Sequence, residues 1–348
     1  MYGQGGQAYE EDLAWCYDAV NGVSRTFAIT VDVLEEPMAS RICVGYLLCR
    51  IADTVEDAGH IPADEQIALL ETYSAALDPA SETEVESFRE DVDPWLPTER
   101  DDDWTVVAEA PRVVRTFEAM PEGPREAVRP PVRELVGGMA TFIDRHAETD
   151  GLRIRTVDEL EEYCWYAAGT VGDLITNLVS RGVAPERART LRENAESFAL
   201  LLQLVNVAKD VQDDYTEENN VYIPQEWLDE EELDPEQLCD PDHAPRVAAV
   251  VERVTDRAAG YLDDAQQYLE VLPETRGNTL AAWAIPYLLA VGTIRELRTR
   301  PEDVVVEGDV KVPREEVFAL IARFESGVDH AAIGDLRRQM ERQPLHQV

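Results

Sequence analysis

Between Cys43 and Asp57 the chain reads CVGYLLCRIADTVED, an aliphatic run interrupted on one side only. Residues three and four apart share a helix face. Arg50, Asp53, Glu56 and Asp57 are therefore expected to project together while Leu47, Leu48, Ile51 and Val55 pack elsewhere. Two carboxylates roughly 6 Å apart repel by about 0.7 kcal/mol in water, and by about 3 kcal/mol at an effective dielectric of about 20. A fold that lines a crevice with this face needs cations there.

A second stretch, QLVNVAKDVQDDYTEENNVYIPQEW, repeats the pattern near the end of another helix. Gln203, Asn206, Asp210 and Asp214 follow one another at steps of three and four, with Asp213 beside them. Hard oxygen donors at this spacing suit Mg²⁺, which keeps several waters and shares itself between one or two carboxylates and a substrate's phosphates. Two such faces opposed across a helical bundle would grip a diphosphate. Mg²⁺ with Arg or Lys would then stabilise the departing diphosphate, while an apolar interior shelters the allylic cation. That chemistry is an ionisation-driven prenyl transfer and needs no protein nucleophile.

The rival reading is a solvated acidic face, because 71 acidic against 31 basic residues give a net charge of -40. With 45% hydrophobic residues the chain is too apolar to be a disordered acidic tail. Lys209 and Lys311 are the only lysines, a balance that resembles the proteins of salt-loving organisms. At molar salt the Debye length falls to about 3 Å and such a surface no longer repels itself. The same charge argues against nucleic-acid binding. Five cysteines without a CxxC pair read as reduced, buried thiols, and five scattered histidines offer no zinc spacing. No signal peptide and no apolar run of about 18 residues is apparent, so no transmembrane helix is expected. The expectation is a cytoplasmic protein, soluble or peripheral at the inner membrane surface.

Periodicity predicts helices over 7–22, from Pro37 through the first acidic motif, and over 63–78, 104–120 and 125–148. Others follow over 156–180, 185–215, 244–272, 278–299, 313–324 and 328–341. Ser24 and Thr156 read as N-caps, with Glu159 the capping-box partner of Thr156. The acidic tracts 81–104 and 229–242 read as loops, residues 1–6 and 342–348 as frayed ends, and VVVEGDVKV as a short hairpin. Gly137 and Gly138 each cost about 1 kcal/mol in a helix interior, which close packing or a ligand would justify. The class is all-α, and no linker divides residues 1–348, so one domain is expected.

Six ordered blocks from about Ser24 to Val317 resemble the squalene and phytoene synthase family. They are SRTF, YLLCRIADTVED, GMATFID, YCWYAAGTVG, LLQLVNVAKDVQDD with YIPQEW, and AIPYLLAVGTI with VEGDVKV. The last blocks lie nearer the squalene synthase branch. The resemblance implies the all-α isoprenoid synthase fold, a single helical bundle around a central active-site cavity. It implies head-to-head joining of two farnesyl diphosphates through presqualene diphosphate, then reduction to squalene by NADPH. It places Mg²⁺ on Asp53, Glu56 and Asp57 and, in the second motif, on Asn206, Asp210 and Asp214, with Asp213 a weaker candidate. Arg25, Tyr46, Arg50, Gln203 and Lys209 would contact substrate, Lys209 standing where the family usually has Arg. Tyr163 would assist proton removal on the way to presqualene diphosphate. Gly169 and Gly172 would leave room for prenyl chains, or serve helix packing. Lys311 and Arg314 would meet the nicotinamide cofactor. The chain departs from the family pattern at Asn220, where Arg is common, at Ala282 with Trp283 adjacent, and at Pro313. A monomer is expected, with farnesyl diphosphate as substrate and a membrane surface as one place for product release. Two alternatives stay open: a phytoene or dehydrosqualene synthase without hydride transfer, and an acidic helical protein whose faces bind only salt and water.

Overall fold

A computed structural model describes residues 4–149, 151–273, 278–308 and 310–347, the side chains of Gln4, Arg25 and Thr26 excepted. Among these residues there are helices and no strands, as the periodicity predicts. The chain divides into two compact units, one gathering Met1–Ala147 with Asp173–Arg181, the other Glu148–Gly172, Gly182–Glu274 and Thr279–Val348.

In the first unit the helix Met38–Glu56 packs on Glu122–Arg145. Gly45 brings Leu174 and Val128 against its backbone, since a Cβ there would stand 3.3 Å from the Leu174 methyls. Ser24 caps Arg25–Val33 by accepting the Phe27 N–H at 3.2 Å, as the sequence predicts. The tract 81–104 is a correction. Val85, Phe88 and Val92, at steps of three and four, are buried on a helix Val85–Val92, and Phe88 lies 4.9 Å from the Tyr73 ring. Burying those three side chains outweighs the exposed acids around them.

Gly137 is exposed, with nothing within 4 Å of where its Cβ would be. Packing therefore does not explain it. Gly137→Ala is expected to raise stability by about 0.5–1 kcal/mol, read as a higher denaturation midpoint.

In the second unit the helix Pro185–Lys209 runs against Ala244–Gly260, Leu262–Glu270 and Thr279–Thr299. Leu191, Leu201, Leu204, Val251 and Leu269 on these helices are fully buried, each contributing about 1.5–3 kcal/mol by burial. Thr279–Thr299 is long and apolar enough to cross a membrane, but 72% of its most apolar window is buried in the fold, which makes it a core helix. The predicted hairpin includes Asp309, which lies outside the described residues, and among the described residues of that segment there is no strand. Asp303–Val306 is a helical turn with Val304 and Val305 both buried, a pattern that a period-two strand cannot produce. The five cysteines are free and four are buried; burial pushes the Cys16 thiol up to about 12, too high to react at neutral pH.

Candidate active site

In the first unit, Arg50, Asp53 and Asp57 stand half-exposed on successive helical steps, whereas Glu56, one residue off that row, is buried at 7% exposure. Arg50 donates through Nη1 to Asp53 and through Nε to Asp103 at 2.6 Å. Burial alone would lower the Arg50 pKa, but Asp53 and Asp103 outweigh it and hold the guanidinium above its ordinary value. Tyr46 stacks on Phe27 at 4.0 Å, and burial pushes its hydroxyl up to about 12 despite the nearby Arg50. Arg25 begins the helix behind Ser24, and its side chain lies outside those described. The acidic row closes its helix at the C-terminus, where the macrodipole adds further negative potential. Gln66 fits there, its buried amide donating to the Val55 and Glu56 carbonyls at 2.8 and 2.7 Å.

In the second unit, the predicted continuous helix to Tyr215 breaks at Asp210, which ends Pro185–Lys209 and precedes Val211–Glu217. The i to i−4 ladder nevertheless survives: the Asp210 N–H reaches the Asn206 carbonyl at 3.0 Å and the Asp214 N–H reaches Asp210 at 2.9 Å. The spacing of the motif is preserved through the break. Asn206 and Asp213 are exposed, and Gln203, Asp210 and Asp214 half-exposed. Lys209 donates to Asp210, so each motif sets a basic side chain against its first aspartate. Burial pushes the Asp214 carboxyl up to about 8, and Glu218 and Asp210 add to that while Lys209 offsets part of it. Asp214 lines a shallow depression with Val207, Val211, Asn220, Tyr222 and Leu238.

Crowded hard oxygens with one lysine among them fit a divalent cation. Among the described residues no three His, Cys, Asp or Glu side chains converge enough to hold a metal alone. An Mg²⁺ held by these donors would have to complete its shell from phosphate and water. The free carboxylate has its own cost. The unfolded chain loses the Asp214 proton near 3.8 and the folded chain near about 8, so stability falls as pH rises through that window and levels above it. Asp214→Asn is expected to remove this slope, and saturating Mg²⁺ to flatten it, in denaturation midpoints followed against pH.

Tyr163 belongs to the helix Val157–Cys164, which Thr156 caps through the Glu159 N–H at 3.2 Å; Glu159 accepts the Arg155 N–H at 2.6 Å. A π-helical turn, Trp165–Gly169, follows. Gly169 lets the Trp165 ring lie against the backbone, where a Cβ would come within 2.4 Å, and Gly172 meets Ala199 and Ala195. Both glycines serve packing. The Tyr163 ring stacks on Tyr222 at 4.8 Å, and its hydroxyl donates to the Tyr222 oxygen at 3.1 Å. Lys311 and Arg314 are exposed at the start of the helix Arg314–Glu325. Sequence reasoning missed Asp103, Gln66 and Tyr222, each distant in the chain from the residue it holds.

The squalene/phytoene synthase family model matches residues 20–316. The chain belongs to this family. Among curated relatives it is 25% identical to a squalene synthase of Schizosaccharomyces pombe over 89% of its own length and 65% of the relative's. It is 27% identical to the squalene synthase LSS of Botryococcus braunii over 90% of its length and 64% of that protein. The chain thus spans about two-thirds of these relatives. A solved complex of TcSQS with the ligand E5700 shares its fold, with a TM-score of 0.79 at 24% identity over 95% of this chain and 90% of that one. A ligand complex of a dehydrosqualene synthase has a TM-score of 0.60 at 19% identity, covering 97% of each chain. Family membership extends across both acidic motifs and Tyr163.

Proposed function

We propose that the protein is a squalene synthase, a prenyltransferase that joins two farnesyl diphosphates head to head and reduces presqualene diphosphate to squalene. The observation that carries this reading is the pair of acidic helical rows, each with a basic side chain on its first aspartate, within a chain of this family. When bound, Mg²⁺ neutralises the departing diphosphate and NADPH supplies a hydride. Asp53 and Asp57, with Glu56 behind them, would hold the cation in one motif, and Asn206, Asp210 and Asp214 would hold it in the other. Arg25, Arg50, Tyr46, Gln203 and Lys209 bind diphosphate oxygens. In the first half-reaction the C–O bond breaks and diphosphate leaves with the electron pair. Carbon–carbon bonds close the cyclopropane, and the proton lost passes by the Tyr163 oxygen to the released diphosphate. Lys311 and Arg314, two exposed cations within one helical start, suit the phosphates of NADPH. The same reading takes the protein as a monomer that hands its product to a membrane surface.

The test is incubation of purified protein in high salt with farnesyl diphosphate and Mg²⁺, with and without NADPH, followed by lipid extraction. Squalene formed only with NADPH supports the reading. A polyene formed equally without it assigns a dehydrosqualene or phytoene synthase instead, and a folded protein that makes no product overturns both.

A further inference from the structure

Tyr163 does not stand alone. Its hydroxyl donates to Tyr222, and the Tyr222 oxygen also receives the Asn220 side-chain N–H at 3.1 Å. Asn220 is itself fixed from two directions. Its Oδ1 accepts the Leu152 N–H at 2.9 Å, and its backbone N–H donates to the Asp214 carbonyl at 2.9 Å. An isolated bridge between Arg153 and Val221 locks the segment in register, with Val221 N–H on the Leu152 carbonyl at 2.9 Å and Ile154 N–H on Val221 at 3.1 Å. Asn220, Tyr222 and Tyr163 are 5%, 7% and 5% exposed, so water cannot replace these bonds.

We propose that Tyr222, held by Asn220, is a positioning residue that fixes the hydroxyl of Tyr163 for proton removal in the first half-reaction. A phenol O–H lies near the ring plane in one of two orientations, and donation to a fixed acceptor selects one of them. The remaining lone-pair direction of the Tyr163 oxygen is then set as well. Stacking of the rings does not require the two hydroxyls, since two phenylalanines would stack equally; the hydroxyls are held for their hydrogen bonds. Asn220, where the family commonly has Arg, thus holds a hydroxyl pair in this chain. Tyr222 takes no proton itself.

The inference rests on the Tyr163 role proposed above, and a double-mutant cycle separates the two. Tyr222→Phe keeps the stacked ring. It is expected to lower kcat for presqualene diphosphate formation about tenfold while leaving KM for farnesyl diphosphate within about twofold, and to lower the melting temperature by a few degrees because the buried Asn220 N–H loses its acceptor. If Tyr222 acts through Tyr163, the double variant Tyr163→Phe/Tyr222→Phe turns over no more slowly than Tyr163→Phe alone. Multiplying losses, a wild-type rate in Tyr222→Phe, or a change confined to KM overturns the positioning role. A wild-type rate in Tyr163→Phe overturns the Tyr163 reading, and the positioning role with it.

Discussion

Asp53→Asn and Asp210→Asn are each expected to lower turnover by about 10³-fold, about 4 kcal/mol of barrier, as the loss of a charged ligand from a catalytic cation would. Little stability should be lost. Asp53 is 33% exposed and Arg50 retains Asp103 when it goes, and a pair so exposed contributes about 0–1 kcal/mol. Asp210 loses its bond from Lys209 but relieves the repulsion that raises Asp214. Steady-state rates beside far-ultraviolet circular dichroism melts make the measurement. Two variants that keep both fold and rate would show that the carboxylates only bind salt and water, the alternative that a charge of -40 keeps in view.

Both motifs were legible because a helix face is written locally: steps of three and four put Asp53 on Asp57's side and Asp210 on Asp214's without knowledge of the tertiary fold. The same locality made Ser24 and Thr156 readable as caps. What holds the motifs in place was not legible, because the partners lie far away in sequence. Asp103 meets Arg50 across 53 residues, and Tyr222 meets Tyr163 across 59. The missed helix at Val85–Val92 had a different cause. Its apolar steps were present in the sequence, but a dense run of acidic residues reads as loop when charge is weighed before periodicity. The break at Asp210 had no local signal, since neither Gly nor Pro occupies it and the hydrogen-bond ladder runs through it.

The largest expected loss of stability lies away from the motifs, at Arg295. Its guanidinium clasps Glu316 through Nη1 at 3.0 Å and Nη2 at 2.7 Å, and its Nη1 also donates to the Met340 carbonyl at 2.7 Å. Glu316 in turn accepts the Leu345 N–H at 3.0 Å. The side chains are 9% and 0% exposed. Arg295→Leu strands a buried carboxylate and is expected to cost about 3–5 kcal/mol, lowering the melting temperature by roughly 10 °C. The double variant Arg295→Leu/Glu316→Leu should recover much of this, because it is the unpaired charge that is costly. Salt discriminates further. At molar salt, with a Debye length of about 3 Å, exposed pairs such as Arg338 with Asp335 lose their contribution, whereas the loss at Arg295 should persist. Glu316 sits in the helix that Arg314 begins, and Arg300 holds the Lys311 carbonyl at 3.3 Å while pairing with Glu296, which also binds Arg295. The network therefore pins the segment proposed to meet NADPH. In the single variant, KM for NADPH should rise more than KM for farnesyl diphosphate; an equal rise in both would remove that link between buried charge and cofactor binding.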